Sequence, residues 1–386
     1  MNKRIFKICA AIFCLFAAGF PARSQVATAP GVSAEQVRHI TPPLNPLPAE
    51  ADSSSVKQYS FIAYGDTRGR RDGTALQYEH SLIVSSILKT IADQAKTAFP
   101  VKFVVQTGDA VVDGGDPHQW NVSFIELINR LTTEGGVPYF LAPGNHDVTT
   151  AEALDAPGRL TGLKNYLDAI GQLIPPDGAE RRLKGYPAYA FVYGNTFIIA
   201  FDSNIAGDET QFNWVKNQLE GLDRKRYTHI FAVCHHPAFS SGPHGGAKVE
   251  RPTAMMRTKY MPLFRRHHVD LLLVGHEHFF EHWVERYTDK SGKKFRLDQI
   301  VTGGGGAPIY TFQGEPDLSE YLKAGAAENV DVEQLVKPGS APGDNPYHYL
   351  LITVDGANLN IKVIGIDWGR DFQPYRSSEF KVDAPK

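Results

Sequence analysis

Cysteine is scarce in this 386-residue chain, which has only Cys9, Cys14 and Cys234. The first two fall within an N-terminal segment that reads as an export signal, so the mature chain would keep Cys234 alone. One thiol cannot close an internal disulfide, and the fold has to stand on its core. Net charge is scarce too. The formal sum is −2 and charged residues make up 21% of the chain, which argues against nucleic-acid binding by bulk charge. The N-terminal apolar run, Ile8 to Phe20, has thirteen residues. That is short of the roughly 20 needed to span a bilayer.

Lys3, Arg4 and Lys7 precede that run and Ala22-Arg23-Ser24 follows it, the order of a secretory signal over residues 1–24 with a small-x-small cleavage site. A retained anchor is the competing reading. Ala11-Ile12-Phe13 before Cys14 does not form a lipid-attachment box. The expectation is an exported protein, periplasmic or secreted, with no transmembrane segment in the mature chain. Residues 25–56 hold Pro30, Pro42, Pro43, Pro46 and Pro48 and read as a semi-extended linker or surface arm.

From Tyr59 onward, short apolar runs alternate with amphipathic stretches. Strands are expected at 59–64, 102–107, 138–142, 189–193, 196–202, 229–234 and 270–274, with helices at 77–97, 119–132, 209–220 and 253–267. Such alternation points to a layered α/β fold with parallel or mixed strands. "KFVVQT" and "DLLLV" are apolar on both faces, as strands covered by helices on each side should be. Further strands are expected at 280–287, 296–302, 347–354 and 358–366, the last two joined by a hairpin at 355–358. Residues 313–345, rich in Gly, Pro and acids, read as an inserted loop within a single domain spanning 57–386.

The chemistry lies where the strands end. "FIAY" is followed by Gly65-Asp66, "FVVQT" by Gly108-Asp109, and "YFLAP" by Gly144-Asn145-His146-Asp147. "IFAVC" is followed by His235-His236-Pro237 and "DLLLV" by Gly275-His276-Glu277-His278. Ligand sites of open α/β sheets lie beyond the carboxyl ends of strands. Taken singly, a Gly-Asp after a strand is more often a turn or a helix cap than a ligand. Five such ends in one chain change that balance. Carboxylates, an amide oxygen and imidazoles together suit Mn, Fe or Zn, and six or seven such groups exceed what one ion needs.

The series Asp66, Gly-Asp109, Gly-Asn145-His146-Asp147, His235 and Gly-His276-Glu277-His278 resembles the calcineurin-like metallophosphoesterase superfamily over about residues 58–310. "GDAVVDGGDPHQW" and "VTGGGGAP" resemble its purple-acid-phosphatase-like branch. The resemblance implies a β-sandwich core flanked by helices (α/β/β/α). It also implies two divalent or trivalent transition-metal ions, and hydrolysis of a phosphorylated small molecule by a hydroxide held between them. Asp109 would bridge the ions, with Asp66 and His278 on the first and Asn145, His235 and His276 on the second. His146 would stand over the phosphate as orienting donor or general acid. His235 is preferred to His236 as ligand because it comes first after the strand, and His236 would then face substrate. His244, in the "SSGPHGG" loop, is a further candidate substrate contact.

Asp147 reads as a partner of His146 or a helix cap, and Glu277 as structural. Asp202 and Asn204 read as turn residues or as support behind the ligands. Cys234 should face away from the site as a buried, inert thiol.

The chain departs from its templates at two positions. Where many members carry Asp-x-His, position 68 is Arg, and where purple acid phosphatases carry a ligand Tyr, position 112 is Val. Arginine cannot ligate a metal, so the first site is one ligand short. Water or Asp113 could complete it, or the site could hold its ion weakly. Arg68 itself reads either as a phosphate contact or as an ion-pair partner shielding nearby carboxylates. The leading function is an exported phosphoesterase, on monoesters or diesters according to the loops 67–76, 148–187, 239–252 and 306–345. The alternative is a non-catalytic envelope protein that binds metal and phosphate. Substrate identity and oligomeric state are not encoded in any motif.

Overall fold

The computed structural model describes residues 35–69 and 77–366, and the backbone of 374–383. The segment 1–24 read as an export signal lies outside the described residues, as does most of the loop 67–76. Gln36–Lys386 group as one unit.

Thirteen strands form two sheets among the described residues. The first contains β1 (Gln58–Tyr64), β2 (Val101–Gln106), β3 (Tyr139–Leu141), β11 (Tyr347–Asp355), β12 (Asn358–Ile366) and β13 (Pro374–Asp383). Its order is β13-β12-β11-β1-β2-β3. The second contains β4 (Tyr189–Tyr193), β5 (Thr196–Ala200), β6 (His229–Val233), β7 (Leu271–Val274), β8 (Phe280–Thr288), β9 (Lys294–Thr302) and β10 (Asp331–Val336). Its order is β10-β8-β9-β7-β6-β5-β4. β1, β2 and β3 run parallel, as do β5, β6, β7 and β9, and the remaining strands pair antiparallel to their neighbours.

Aromatic side chains hold the sheets face to face. Phe61 lies 5.8 Å from Phe231, Phe103 lies 5.4 Å from Phe191, and Phe140 stacks on Phe191 at 3.8 Å. Alternation then turns Ile62 and Tyr64 to the opposite face of β1. There the core takes in Ile83, Val84 and Ile87 of α1 (Tyr78–Gln94) and Ile128 and Leu131 of α2 (Glu126–Thr133). The outer face of the second sheet buries Phe197, Phe201, Ala232 and Leu272 with Val215 and Leu219 of α4 (Glu209–Glu220) and Leu263 and Phe264 of α6 (Met261–Arg266). The layers are helix, sheet, sheet, helix, as the family resemblance implies. Cys234 is buried in this outer layer, away from the ligands that follow it.

From residue 36 onward, the proline-rich segment packs against the body. Ile40 is buried and donates its amide to Ala169 O at 2.9 Å, and Glu50 O accepts from Arg226 Nη2 at 3.2 Å. Within 148–187 the chain forms α3 (Leu160–Ile170). Residues 313–345, expected as a loop, contain α7 (Ser319–Ala324) and the edge strand β10. Between them in chain order, α5 (Arg251–Met255) opens the helical stretch before β7.

Candidate metal centre

β1, β2 and β3 in one sheet and β6 and β7 in the other all release the candidate residues at their C-terminal ends. Three of those residues turn sharply. Asp66, Asp109 and His276 have φ of 57°, 55° and 71°. Non-glycine residues in that region cost about 1–3 kcal/mol each and persist where the surroundings over-determine them. The glycines beside them serve close approach. A Cβ on Gly108 would stand 2.7 Å from Gly144 N and from His235 Nδ1, and one on Gly275 would meet Asp66 Oδ2 at 2.3 Å.

Four donor atoms converge in the pocket so formed. Asn145 Oδ1 is 2.9 Å from His235 Nε2 and 3.0 Å from His276 Nδ1, and those two nitrogens are 3.2 Å apart. Asp109 Oδ1 lies 3.4 Å from His235 Nε2. The outer nitrogens are committed elsewhere: His235 Nδ1 lies 2.9 Å from the Thr107 carbonyl, and His276 Nε2 lies 3.1 Å from Glu250 Oε2. Carbonyl and carboxylate oxygens only accept, so each outer nitrogen carries the proton and each inner nitrogen offers a lone pair. Two imidazole lone pairs, an amide oxygen and a carboxylate oxygen then face one another, an arrangement that calls for a cation. Burial alone would lower His276, but Glu250 and the neighbouring carboxylates hold it above its ordinary value. A metal ion between these lone pairs would answer them, and the donor set fits Mn, Fe or Zn.

The other half is built differently. Asp66 accepts the His276 amide on both oxygens, at 2.9 and 3.1 Å, tying β1 to β7. His278 donates Nδ1–H to the Pro308 carbonyl at 2.7 Å, which turns its Nε2 lone pair inward, 3.4 Å from Asp66 Oδ1. Arg68 stands among these groups. Its Nε donates to Asp109 Oδ2 at 3.1 Å and its Nη2 lies 3.4 Å from His278 Nε2. The contact to Asp109 is the ion pair with a neighbouring carboxylate that the sequence allowed for Arg68. Asp113 does not turn in to replace a ligand; its Oδ1 accepts from Gly115 N at 2.9 Å in its own turn. Ligand atoms of Asp66, Asp109 and His235 lie within 4.8 Å of one another, but the guanidinium on Asp109 and His278 puts a positive charge where a second ion would sit.

Burial explains the electrostatics. It raises Asp66 to about 7 and, with the nearby Arg68 charge, lowers His278 to about 3. Burial would raise Asp109 as well, but His235, His146 and Arg68 hold it well below the usual carboxylate range.

His146 donates its amide to Asp109 Oδ1 at 2.9 Å and its Nδ1–H to the Val112 carbonyl at 2.7 Å. Its Nε2 then looks across the site, 4.0 Å from Asp109 Oδ2. His236 is buried, with Nδ1 2.9 Å from Ser203 Oγ and its ring 4.4 Å from that of His276. His244 is partly exposed, its ring 4.5 Å from His276. Buried Glu277 anchors that loop, accepting the His244 amide at 2.8 Å.

Asp147 joins two strand ends, accepting from Gly144 N at 2.9 Å and from Ala110 N at 2.8 Å. Asp202 caps its own turn, accepting from Asn204 N at 2.9 Å, and pairs with Arg159. Sequence reasoning missed Glu250, which follows no strand, and Ser203, whose hydroxyl accepts the amides of His235 at 3.2 Å and His236 at 2.9 Å. It also missed Tyr310, stacked on His278 at 4.0 Å.

Residues 83–280 match the calcineurin-like phosphoesterase family. Among curated relatives, the chain is 26% identical over 297 residues to the probable inactive purple acid phosphatase 1 of Arabidopsis thaliana, covering 72% of this chain and 45% of that protein. It is 31% identical over 174 residues to the probable purple acid phosphatase 20 of the same plant, covering 44% of this chain and 38% of that protein. The chain thus spans less than half the length of these relatives. Among solved structures, the purple acid phosphatase PPD1 from yellow lupin (Lupinus luteus) seeds superposes with a TM-score of 0.59 at 19% identity. That match covers 86% of this chain and 54% of PPD1, and supports the fold alone.

Proposed function

Because the chain belongs to the calcineurin-like phosphoesterase family, we propose that it is a metal-dependent hydrolase of phosphate esters, exported from the cell, acting on a phosphorylated small molecule. The observation that carries the reading is the cage of Asp109, Asn145, His235 and His276, whose inward lone pairs need a cation between them. A bound transition-metal ion would supply Lewis acidity and a water whose pKa falls toward ~7.

The chain's own groups do the rest. Thr107 and Glu250 fix the two histidines as lone-pair donors. Asp66 and Asp147 clamp the strand ends so that the donors keep their spacing. His146, with Nδ1–H spent on Val112, can give a proton to a leaving oxygen from Nε2 only as the imidazolium. Partly exposed His244 stands beside His276, placed to meet substrate from the loop that follows β6. Of the two ion positions expected from the resemblance, the cage supports a reading with one, and at the other a guanidinium stands.

The test is an assay of chelated, reloaded protein on 4-nitrophenyl phosphate and bis(4-nitrophenyl) phosphate with Mn, Fe or Zn, with Asp109→Asn as control. Turnover that returns with metal and is lost in the variant supports the reading. No turnover with any metal on either ester overturns it. Export is tested by the N-terminus of the recovered protein, which should begin after Ser24.

One observation favours a second reading, a binder that does not turn over: Arg68 holds an oxygen of Asp109 that a second ion would need. Under that reading the loaded protein would bind inorganic phosphate and hydrolyse neither ester.

A further inference from the structure

The groups assigned to the first ion by resemblance are Asp66, Asp109 and His278, and two of the three are already engaged by one side chain. Arg68 is buried, with Nε 3.1 Å from Asp109 Oδ2 and Nη2 3.4 Å from the inward lone pair of His278 Nε2. Its main chain is held as well, the amide donating to Asp109 O at 2.9 Å, so the guanidinium is presented from an anchored backbone position. The oxygens of Asp109 are divided accordingly. Oδ2 goes to Arg68, while Oδ1 accepts the His146 amide at 2.9 Å and faces His235.

A guanidinium offers only N–H donors, stays charged at all working pH, and repels a cation placed within a few ångströms. Its hydrogen to His278 Nε2 uses the lone pair that an ion would take. We propose that the Arg68 guanidinium permanently replaces the first metal ion, so that the protein binds one ion per chain, in the cage of Asp109, Asn145, His235 and His276. Asp109 then bridges an ion and an arginine instead of two ions. The centre carries one mobile cation and one built-in positive charge.

This inference rests on the metal-dependent reading above, and the two fail separately. Chelated protein is titrated with Mn(II), passed through a desalting column, and its metal counted by mass spectrometry, with the Mn(II) electron paramagnetic resonance spectrum recorded alongside. The expected result is one ion per chain and an uncoupled six-line spectrum. Arg68→His, which restores Asp-x-His, is expected to bind two ions and to show exchange coupling. His278→Ala in the otherwise unaltered chain is expected to keep its one ion, and His235→Ala to lose it. Two ions in the unaltered protein overturn the inference and leave metal dependence standing. A single ion that His278→Ala removes and His235→Ala spares overturns it too, and this pair decides the matter even if Arg68→His does not fold. No bound ion in the unaltered protein overturns the metal-dependent reading itself.

Discussion

Glu250 decides which nitrogen of His276 faces the cage. Its carboxylate accepts the Nε2–H hydrogen bond at 3.1 Å and leaves the Nδ1 lone pair facing the cage. Partners of this kind are worth about 10–100-fold in metal affinity. Glu250→Ala is therefore expected to weaken Mn(II) or Zn(II) binding by about that factor in a calorimetric titration, with the fold unchanged. His146 makes the opposite case: its amide donates to Asp109, but its ring supplies no atom to the cage. His146→Ala is expected to lower kcat by about 10²–10⁴-fold, while metal content stays at the unaltered value. Asp66, Asp109, Asn145, His235, His276 and His278 were legible because each follows an apolar strand, and strand ends are visible in sequence. Glu250 was not, since it sits before Arg251-Pro252 at a helix start and meets His276 only through the fold. Arg68 was legible as a departure, but what it touches depended on residues 41 and 210 positions away.

At the scale of elements, the loops after β2 and β3 are locked together by Asp147, whose two oxygens accept from Gly144, Ala110 and Val111 amides. Asp147→Ala would leave three donors without that acceptor in a closed region. The expected loss is about 3 kcal/mol or more in chemical denaturation, with weakened metal retention because Asn145 loses its footing. The strands that carry ligands were readable from continuous apolar runs bounded by glycine. β10 was not, because as an edge strand it pairs on one side only and reads "DVEQLV", alternately exposed and half-buried. α3 lies in a stretch rich in turn residues, and its apolar face is set by packing against Trp120 and the end of β3. The two expected helices near 119–132 and 253–267 are present, each with a wide turn within it.

Over the whole molecule, three histidines away from the centre are buried neutral. Burial lowers His80 to about 3 and His229 and His348 to about 4. The unfolded chain binds a proton on each below about 6.5, whereas the folded chain does not until lower pH. Their contribution to stability is thus whole above about pH 6.5 and is lost as pH falls towards 4. Glu281, raised to about 7, and Asp270, raised to about 6, act in the opposite sense, their contribution being lost as pH rises. His348 can be isolated by comparison. In His348→Gln the fall in unfolding free energy from pH 7 to pH 4 is expected to be smaller by about 3 kcal/mol than in the unaltered chain. An equal fall in both would show that His348 is not held neutral. An α/β layering was legible because the alternation of apolar runs and amphipathic stretches is a local signal, whereas its division into two sheets came from the family resemblance. The facing of the two sheets through Phe61, Phe103, Phe140 and Phe191 was not, since any of these could have packed under a helix.

The central claim is that the cage at the strand ends holds the ion, and X-ray anomalous scattering from crystals grown with Mn(II) tests it most directly. The account predicts one strong peak per chain, bounded by Asp109, Asn145, His235 and His276, with Arg68 still on the other oxygen of Asp109. A peak between Asp66 and His278 with Arg68 swung away, or no peak at the cage, would contradict it.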